Sequence, residues 1–193
     1  MTGAGSRGDG IGNGRAAAVL PARRGARVAL VDSVPDHARP TRSMIEAEGG
    51  TCRVIEADVT DPRSCAAAAE HVAGVRGGVD VPVNNGGAGG PAGDVVEVDP
   101  RAWEECHSVN VTSVMLMSKH CVPYMRRAGA GSIVHVSSVA GLIGGHPDIS
   151  CPVTKARSSS SPAAWRRGTD ARESGSTPSR RAWPAPRWPP PSR

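Results

Sequence analysis

Val79-Asp80-Val81-Pro82-Val83 runs directly into Asn84-Asn85-Gly86-Gly87. A short run rich in valine reads as a strand, and the Asn-Asn-Gly-Gly that closes it reads as a tight loop. The same grammar recurs on both sides. Upstream, Arg27-Val28-Ala29-Leu30-Val31 ends on Asp32, and Cys52-Arg53-Val54-Ile55 is followed by Asp58. Downstream, Ser132-Ile133-Val134-His135-Val136 ends on Ser137-Ser138. Between these runs, residues 36–48, 62–76 and 100–127 carry helical patterns, with Asp61-Pro62 as cap and first turn of the second. Strands without polar alternation, separated by helices, predict an α/β fold: a parallel sheet covered on both faces.

Two prolines strain this pattern. Pro82 lies inside a strand and removes a ladder donor. Pro21 lies inside the helix that follows the N-terminal glycines, where proline costs about 3 kcal/mol or more.

Charge divides the chain in two. Residues 1–156 hold 15 Lys+Arg and 16 Asp+Glu, whereas residues 157–193 hold 8 Arg and 2 acids. The overall charge of +5 therefore resides in the tail, and a nucleic-acid partner is not expected for the body of the chain. Residues 157–193 contain no Val, Ile, Leu, Met, Phe or Tyr but seven Pro and eight Ser. Such a segment cannot offset its ordering entropy by burial, so disorder is expected there. No apolar run reaches the length of a membrane span. The five cysteines (Cys52, Cys65, Cys106, Cys121, Cys151) are odd in number and form no C-x-x-C pair. Neither a disulfide framework nor a metal site is expected, and a cytoplasmic location fits best.

Thr2-Gly3-Ala4-Gly5-Ser6, continued by Gly10-Ile11-Gly12, is a glycine-rich turn ahead of a helix. Such a turn lets a pyrophosphate approach the unpaired N–H groups of the helix N-terminus, although a plain flexible terminus would look similar. Asp32 ends the next strand, where a carboxylate can accept from an adenosine ribose and repel a 2′-phosphate. A turn or cap aspartate is the bland alternative.

Taken together these positions resemble the short-chain dehydrogenase/reductase family over residues 2–156. The glycine loop, Asp32, Asp58-Val59, Asn84-Asn85-Gly86-Gly87, Val109-Asn110-Val111, Ser137-Ser138 and Lys155 stand in family order and spacing. The resemblance implies a Rossmann-like doubly wound parallel sheet. It implies a partial dinucleotide-binding domain at 2–156, followed by the Arg/Ser/Pro-rich tail. It also implies that Gly3, Ser6, Gly10, Ile11, Gly12, Asp32, Asp58, Val59, Asn85, Gly86, Gly87 and Lys155 contact the cofactor, NAD before NADP. Catalysis would fall to Asn110 holding a relay water, Ser138 bonding the substrate oxygen, position 151 passing the proton and Lys155 acting on both ribose and acid. Taken singly, Asn110 could equally bridge backbone, and Lys155 could be a solvated helix residue.

The chain departs from the family at several points. The tyrosine position holds Cys151, whose thiol is shorter and donates weakly. Met1 stands directly before Thr2, so the family's first strand is expected to be absent from the centre of the sheet. Arg7-Gly8-Asp9 and Asn13-Gly14 lengthen the glycine loop by five residues. Back-translated one base out of register after Lys155, the tail can spell an apolar helix, a strand and a Pro-Gly turn, so a frameshift after Ala156 is expected. The family's last strands, substrate loop and oligomer-forming helices would then be missing. Three readings follow. The first is an alcohol/ketone oxidoreductase, impaired in this chain. The second is a non-catalytic cofactor-binding remnant or pseudogene product. The third is a module whose basic tail meets RNA or other anions.

Overall fold

The computed structural model describes residues 1–6, 8, 10–143 and 148–156. The expected disorder of 157–193 lies outside the described residues, as do Arg7 and Asp9 of the lengthened loop.

Among the described residues, helices and strands follow in the order α1 (Asn13–Ala22), β1 (Arg27–Asp32), α2 (Pro35–Ala47), β2 (Thr51–Glu56), α3 (Pro62–Arg76), β3 (Val83–Asn84), α4 (Pro100–His107), α5 (Ser113–Ala128) and β4 (Val134–His135), and residues 150–156 are helical as well. A π turn, Ser108–Thr112, joins α4 to α5, so residues 100–128 form one nearly continuous helix. Its start and that of α3 follow one rule. The carboxylates of Asp99 and Asp61 accept from the N–H groups of Ala102 and Ser64, and a proline opens each first turn. Gly77, at φ +77°, closes α3 in the left-handed conformation.

All strand pairs are parallel. β1 pairs β2 from Arg27↔Thr51 to Asp32↔Glu56, and β3 pairs β4. Thr2 joins the two halves, bridging in parallel to Val31 on one side and Asn84 on the other. The order is therefore β2, β1, Thr2, β3, β4, a Rossmann-like arrangement. As the sequence led us to expect, no strand is formed at the family's first-strand position among the described residues. Met1 and Thr2 hold its place: Val31 donates to the Met1 carbonyl at 2.9 Å, and Thr2 donates to the Val83 carbonyl at 3.0 Å.

β3 and β4 are shorter than the apolar runs that announce them. At β3 the physical reason is Pro82, which has no N–H to give to β4. Its carbonyl still accepts from Val134 at 2.9 Å. Pro21 sits at the penultimate position of α1, where its carbonyl takes the N–H groups of Arg24 and Ala26 and turns the chain.

Alternation along β1 divides the core. Val28 and Leu30 pack with Ala18, Val19 and Ala22 of α1 and Ala38 and Ile45 of α2. Val31 faces the other way, onto Ala57 and Ala68. Beyond it, Cys65 and Ala69 of α3 meet Leu116, Met117 and Cys121 of α5. Fully burying a side chain such as Leu30 contributes about 2 kcal/mol, and small residues dominate elsewhere. Among the described residues no helix is long and apolar enough to cross a membrane. All five cysteines are free.

Candidate functional site

The carboxyl ends of the strands open into one cleft of about 670 Å³. In an open parallel sheet this is where ligands bind, because the loops there diverge to either face. Of the positions singled out from sequence, Gly3, Ser6, Gly12, Asp32, Asp58, Val59, Asn85, Gly86, Gly87, Ser138 and Lys155 line it.

The glycine loop is held by contacts that only small residues allow. Gly3 sits at φ +59°, and a Cβ there would lie 2.7 Å from the Gly86 Cα. A Cβ on Gly14 would collide with the Gly3 carbonyl oxygen. Asn85 Nδ2 donates to that same oxygen at 2.8 Å, while the Thr2 hydroxyl accepts from the N–H groups of Asn85 and Gly86, both at 3.2 Å. The loops at 2–3 and 85–87 are thereby tied edge to edge. α1 begins behind them at Gly12, with no side chain capping its first N–H groups. Those donors and the helix dipole favour an anion at this end of the cleft.

Gly10 and Ile11 are not among the lining residues, and Ile11 is 67% exposed. Arg15, which sequence reasoning passed over, anchors this stretch: its guanidinium donates to the Gly10 carbonyl at 2.8 Å and reaches the Thr41 hydroxyl at 3.4 Å. A lone arginine at the head of an alanine run carries no signal of such a tie. Gly5 and Gly14 of the glycine loop also line the cleft, as does His37, which the sequence did not single out.

Asp32 receives the Gly5 N–H and the Val34 N–H, each at 3.1 Å, and His37 Nδ1 stands 3.9 Å away. It is both a turn aspartate and a cleft carboxylate. The Thr60 hydroxyl and N–H donate to Asp58 at 2.6 and 2.8 Å and hold its carboxyl below the usual range.

At the opposite end, Ser138 caps a short 3₁₀ turn by accepting from Ala140 N–H at 3.2 Å, and its hydroxyl keeps a proton to donate. Ser137, one residue earlier, donates to the Lys155 carbonyl at 2.9 Å and so ties the end of β4 to the helical residues 150–156. Burial pulls the Lys155 ammonium below the ordinary lysine range, against opposing influences of Cys151 and Cys106. A Cβ on Gly87 would come within 2.9 Å of Lys155 Nζ and 3.1 Å of Asn110 Oδ1. The glycine therefore lets both side chains approach the floor of the cleft.

Asn110 itself stands behind the wall, 1% exposed. It lies within the π turn, a distortion often found at functional sites. Its Oδ1 accepts from Ala88 N–H at 2.8 Å; its Nδ2 donates to the Ala88 carbonyl at 2.9 Å and to the Thr154 hydroxyl at 3.1 Å. It thus joins the loop after Gly87 to the turn that carries Lys155. Cys151 is half-buried in the first turn of helical residues 150–156, where its N–H is capped by Asp148 at 2.7 Å. It is not among the residues that line the cleft.

Comparison with known proteins gives a consistent set of likenesses. The family model described as short chain dehydrogenase matches residues 2–151. Cis-4-hydroxycyclohexanecarboxylate dehydrogenase of Sinomonas cyclohexanicum is 37% identical over 133 residues, covering 69% of this chain and 53% of that protein. The chain spans about half the length of the curated relatives it matches. A solved structure from Burkholderia xenovorans, assigned to the short-chain dehydrogenase/reductases, superposes with a TM-score of 0.85 at 33% identity. It covers 89% of this chain and 65% of that one. A metagenomic short-chain oxidoreductase solved in complex with NADP superposes with a TM-score of 0.80 at 27% identity, covering 89% of this chain and 75% of that one.

Proposed function

The chain belongs to the short chain dehydrogenase family, and on that premise we propose that its cleft binds a nicotinamide dinucleotide, NAD in preference to NADP, for hydride exchange with a small alcohol or ketone. The observation that carries this reading is the shared wall. Glycines at an uncapped helix N-terminus, the carboxylate of Asp32, the Gly86-Gly87 floor, Ser138 and Lys155 all border one cavity. The residues fit the cofactor's chemistry. The α1 terminus suits a pyrophosphate, Asp32 suits a ribose diol and disfavours a 2′-phosphate, and Lys155 suits the second ribose. A bound nicotinamide supplies or accepts the hydride.

The chain's own residues handle orientation and protons. Ser138 donates its hydroxyl proton to a substrate oxygen, and the partly desolvated Lys155 ammonium favours a neighbouring anion. Asn110 fixes the loop and the helical turn that set the Lys155 position. The weak point is position 151. A thiol one helical turn before Lys155 is too short to reach the oxygen that Ser138 would hold. Losing a general acid/base costs roughly 100- to 10,000-fold in rate. The small-alcohol reading draws on the printed activity of the Sinomonas relative, and the five free cysteines suit a cytoplasmic setting.

The place of Cys151 outside the cleft lining favours a second reading, in which the chain binds cofactor without turning substrate over. A panel of secondary alcohols with NAD, run on the chain and on Cys151→Tyr, separates the two. The first reading expects weak turnover that rises at least about 100-fold in the variant. No turnover in either, with NADH still bound, leaves the second.

A further inference from the structure

His37 borders the cleft beside Asp32 but has no task in the cofactor reading above. It stands in the first turn of α2, and its backbone is fixed from two sides. Its N–H donates to the Val34 carbonyl at 3.0 Å, and its carbonyl accepts from the Ser6 N–H at 3.3 Å. Gly5 packs so closely that a Cβ there would lie 2.6 Å from the His37 Cβ. The ring is thereby set beside the Asp32 carboxylate, with Nδ1 3.9 Å from Oδ1.

At that distance the two groups form no hydrogen bond, and the ring, 35% exposed, keeps its donors for a ligand. Both Asp32 oxygens already accept backbone N–H groups, Oδ2 from Gly5 and Oδ1 from Val34. Each retains a lone pair for a ribose hydroxyl. A ribose held by Asp32 brings its 2′-substituent to the corner of the cleft that His37 shares.

The charges around this corner set its sign. Asp32, at the end of β1, is the carboxylate that faces the ring. Arg27 stands at the opposite end of β1, and Arg53 and Glu56 of β2 are exposed. From α1, Arg15 is engaged with Gly10 and Thr41; on α2, Asp36 pairs with Arg39 at 3.1 Å in solvent. Asp58, after β2, is held by Thr60. A neutral imidazole therefore leaves the Asp32 charge to repel a 2′-phosphate. An imidazolium offsets that charge and offers the phosphate a charge-assisted donor. Histidine is the side chain whose ordinary change of charge falls between about pH 5 and 8.

We propose that His37 is a second determinant of cofactor choice: protonated, it donates to the 2′-phosphate and lets the cleft accept NADP; neutral, it leaves Asp32 to select NAD. This rests on the dinucleotide reading of the cleft. The proton and the phosphate are then linked ligands, each raising affinity for the other, and such coupling typically amounts to about fivefold or more.

The test is fluorescence titration of the full chain with NADH and NADPH at pH 6 and pH 8, at one ionic strength, beside His37→Gln and His37→Lys. The parent's NADPH-to-NADH affinity ratio should rise at least about fivefold from pH 8 to pH 6. The 2′-phosphate itself takes up a proton at about pH 6, which works against that rise. His37→Gln supplies the baseline, and its ratio should stay level or fall. His37→Lys, charged at both pH values, should carry the raised ratio at pH 8 as well. A parent ratio that does not rise overturns the proposal without recourse to any variant, and so does an equal rise in His37→Gln. NADH bound with a flat ratio strikes the role of His37 alone; no binding of either cofactor strikes the dinucleotide reading with it.

Discussion

Asn110 and Ala88 exchange two hydrogen bonds, 2.8 Å from the Ala88 N–H to Oδ1 and 2.9 Å from Nδ2 to the Ala88 carbonyl. A primary amide reproduces the pairing of a neighbouring strand, and here it stitches a helix to a loop that has no strand beside it. The third bond, to Thr154, extends the stitch to the turn before Lys155.

Asn110→Ala removes these three bonds and a fourth, from Nδ2 to Cys106 Sγ at 3.2 Å, and leaves the Ala88 amide and carbonyl short of partners. The expected cost is about 2–4 kcal/mol by urea denaturation, because unmade bonds to buried groups are expensive. NADH affinity should fall with it. A loss below about 0.5 kcal/mol would mean that water replaces the amide freely.

Gly14→Ala and Gly10→Ala should differ sharply. The first drives a Cβ into the Gly3 carbonyl, so the glycine loop must move and NADH affinity should drop at least about tenfold, or roughly 1.4 kcal/mol. Nothing lies within 4 Å of a Cβ on Gly10, and that variant should bind NADH as the parent does. Equal loss in both would place Gly10 back in the cradle.

Asp32→Asn tests cofactor choice. The carboxylate disfavours a 2′-phosphate, so removing its charge should raise NADPH affinity relative to NADH by about tenfold. Competitive titration of the two reduced cofactors reads this ratio, and an unchanged ratio would assign Asp32 to the Gly5 and Val34 turn alone.

Burial holds the His135 imidazole below its ordinary range. The unfolded chain therefore takes up that proton first, so stability is full above the ordinary histidine pKa, about 6.5, and is lost as pH falls through it. His135→Gln should flatten the fall of Tm on the acid side, and an unchanged Tm profile in that variant would contradict the burial.

Much of this molecule was legible before its structure. The apolar runs at 27–31 and 52–55 became β1 and β2, and Asp61-Pro62 opened α3 as written. These elements carry their own patterns and caps. Three features did not show. The pairing of Met1 and Thr2 depends on two residues, too few for any periodicity. The tie from Arg15 to Gly10 joins positions whose types suggest nothing of each other. The exposure of Ile11, away from the cleft wall, has no signal in a glycine-rich stretch. Asn110 was recognised by position, yet its bonds to Ala88 and Thr154 are made from a π turn that the sequence does not announce.

The account rests most directly on one binding curve: the change in NADH fluorescence on titration with the full chain, repeated with Lys155→Met. Saturable binding that weakens about tenfold or more in the variant is the predicted result. Unchanged NADH fluorescence up to millimolar concentration, in a chain shown to be folded by circular dichroism, would contradict it.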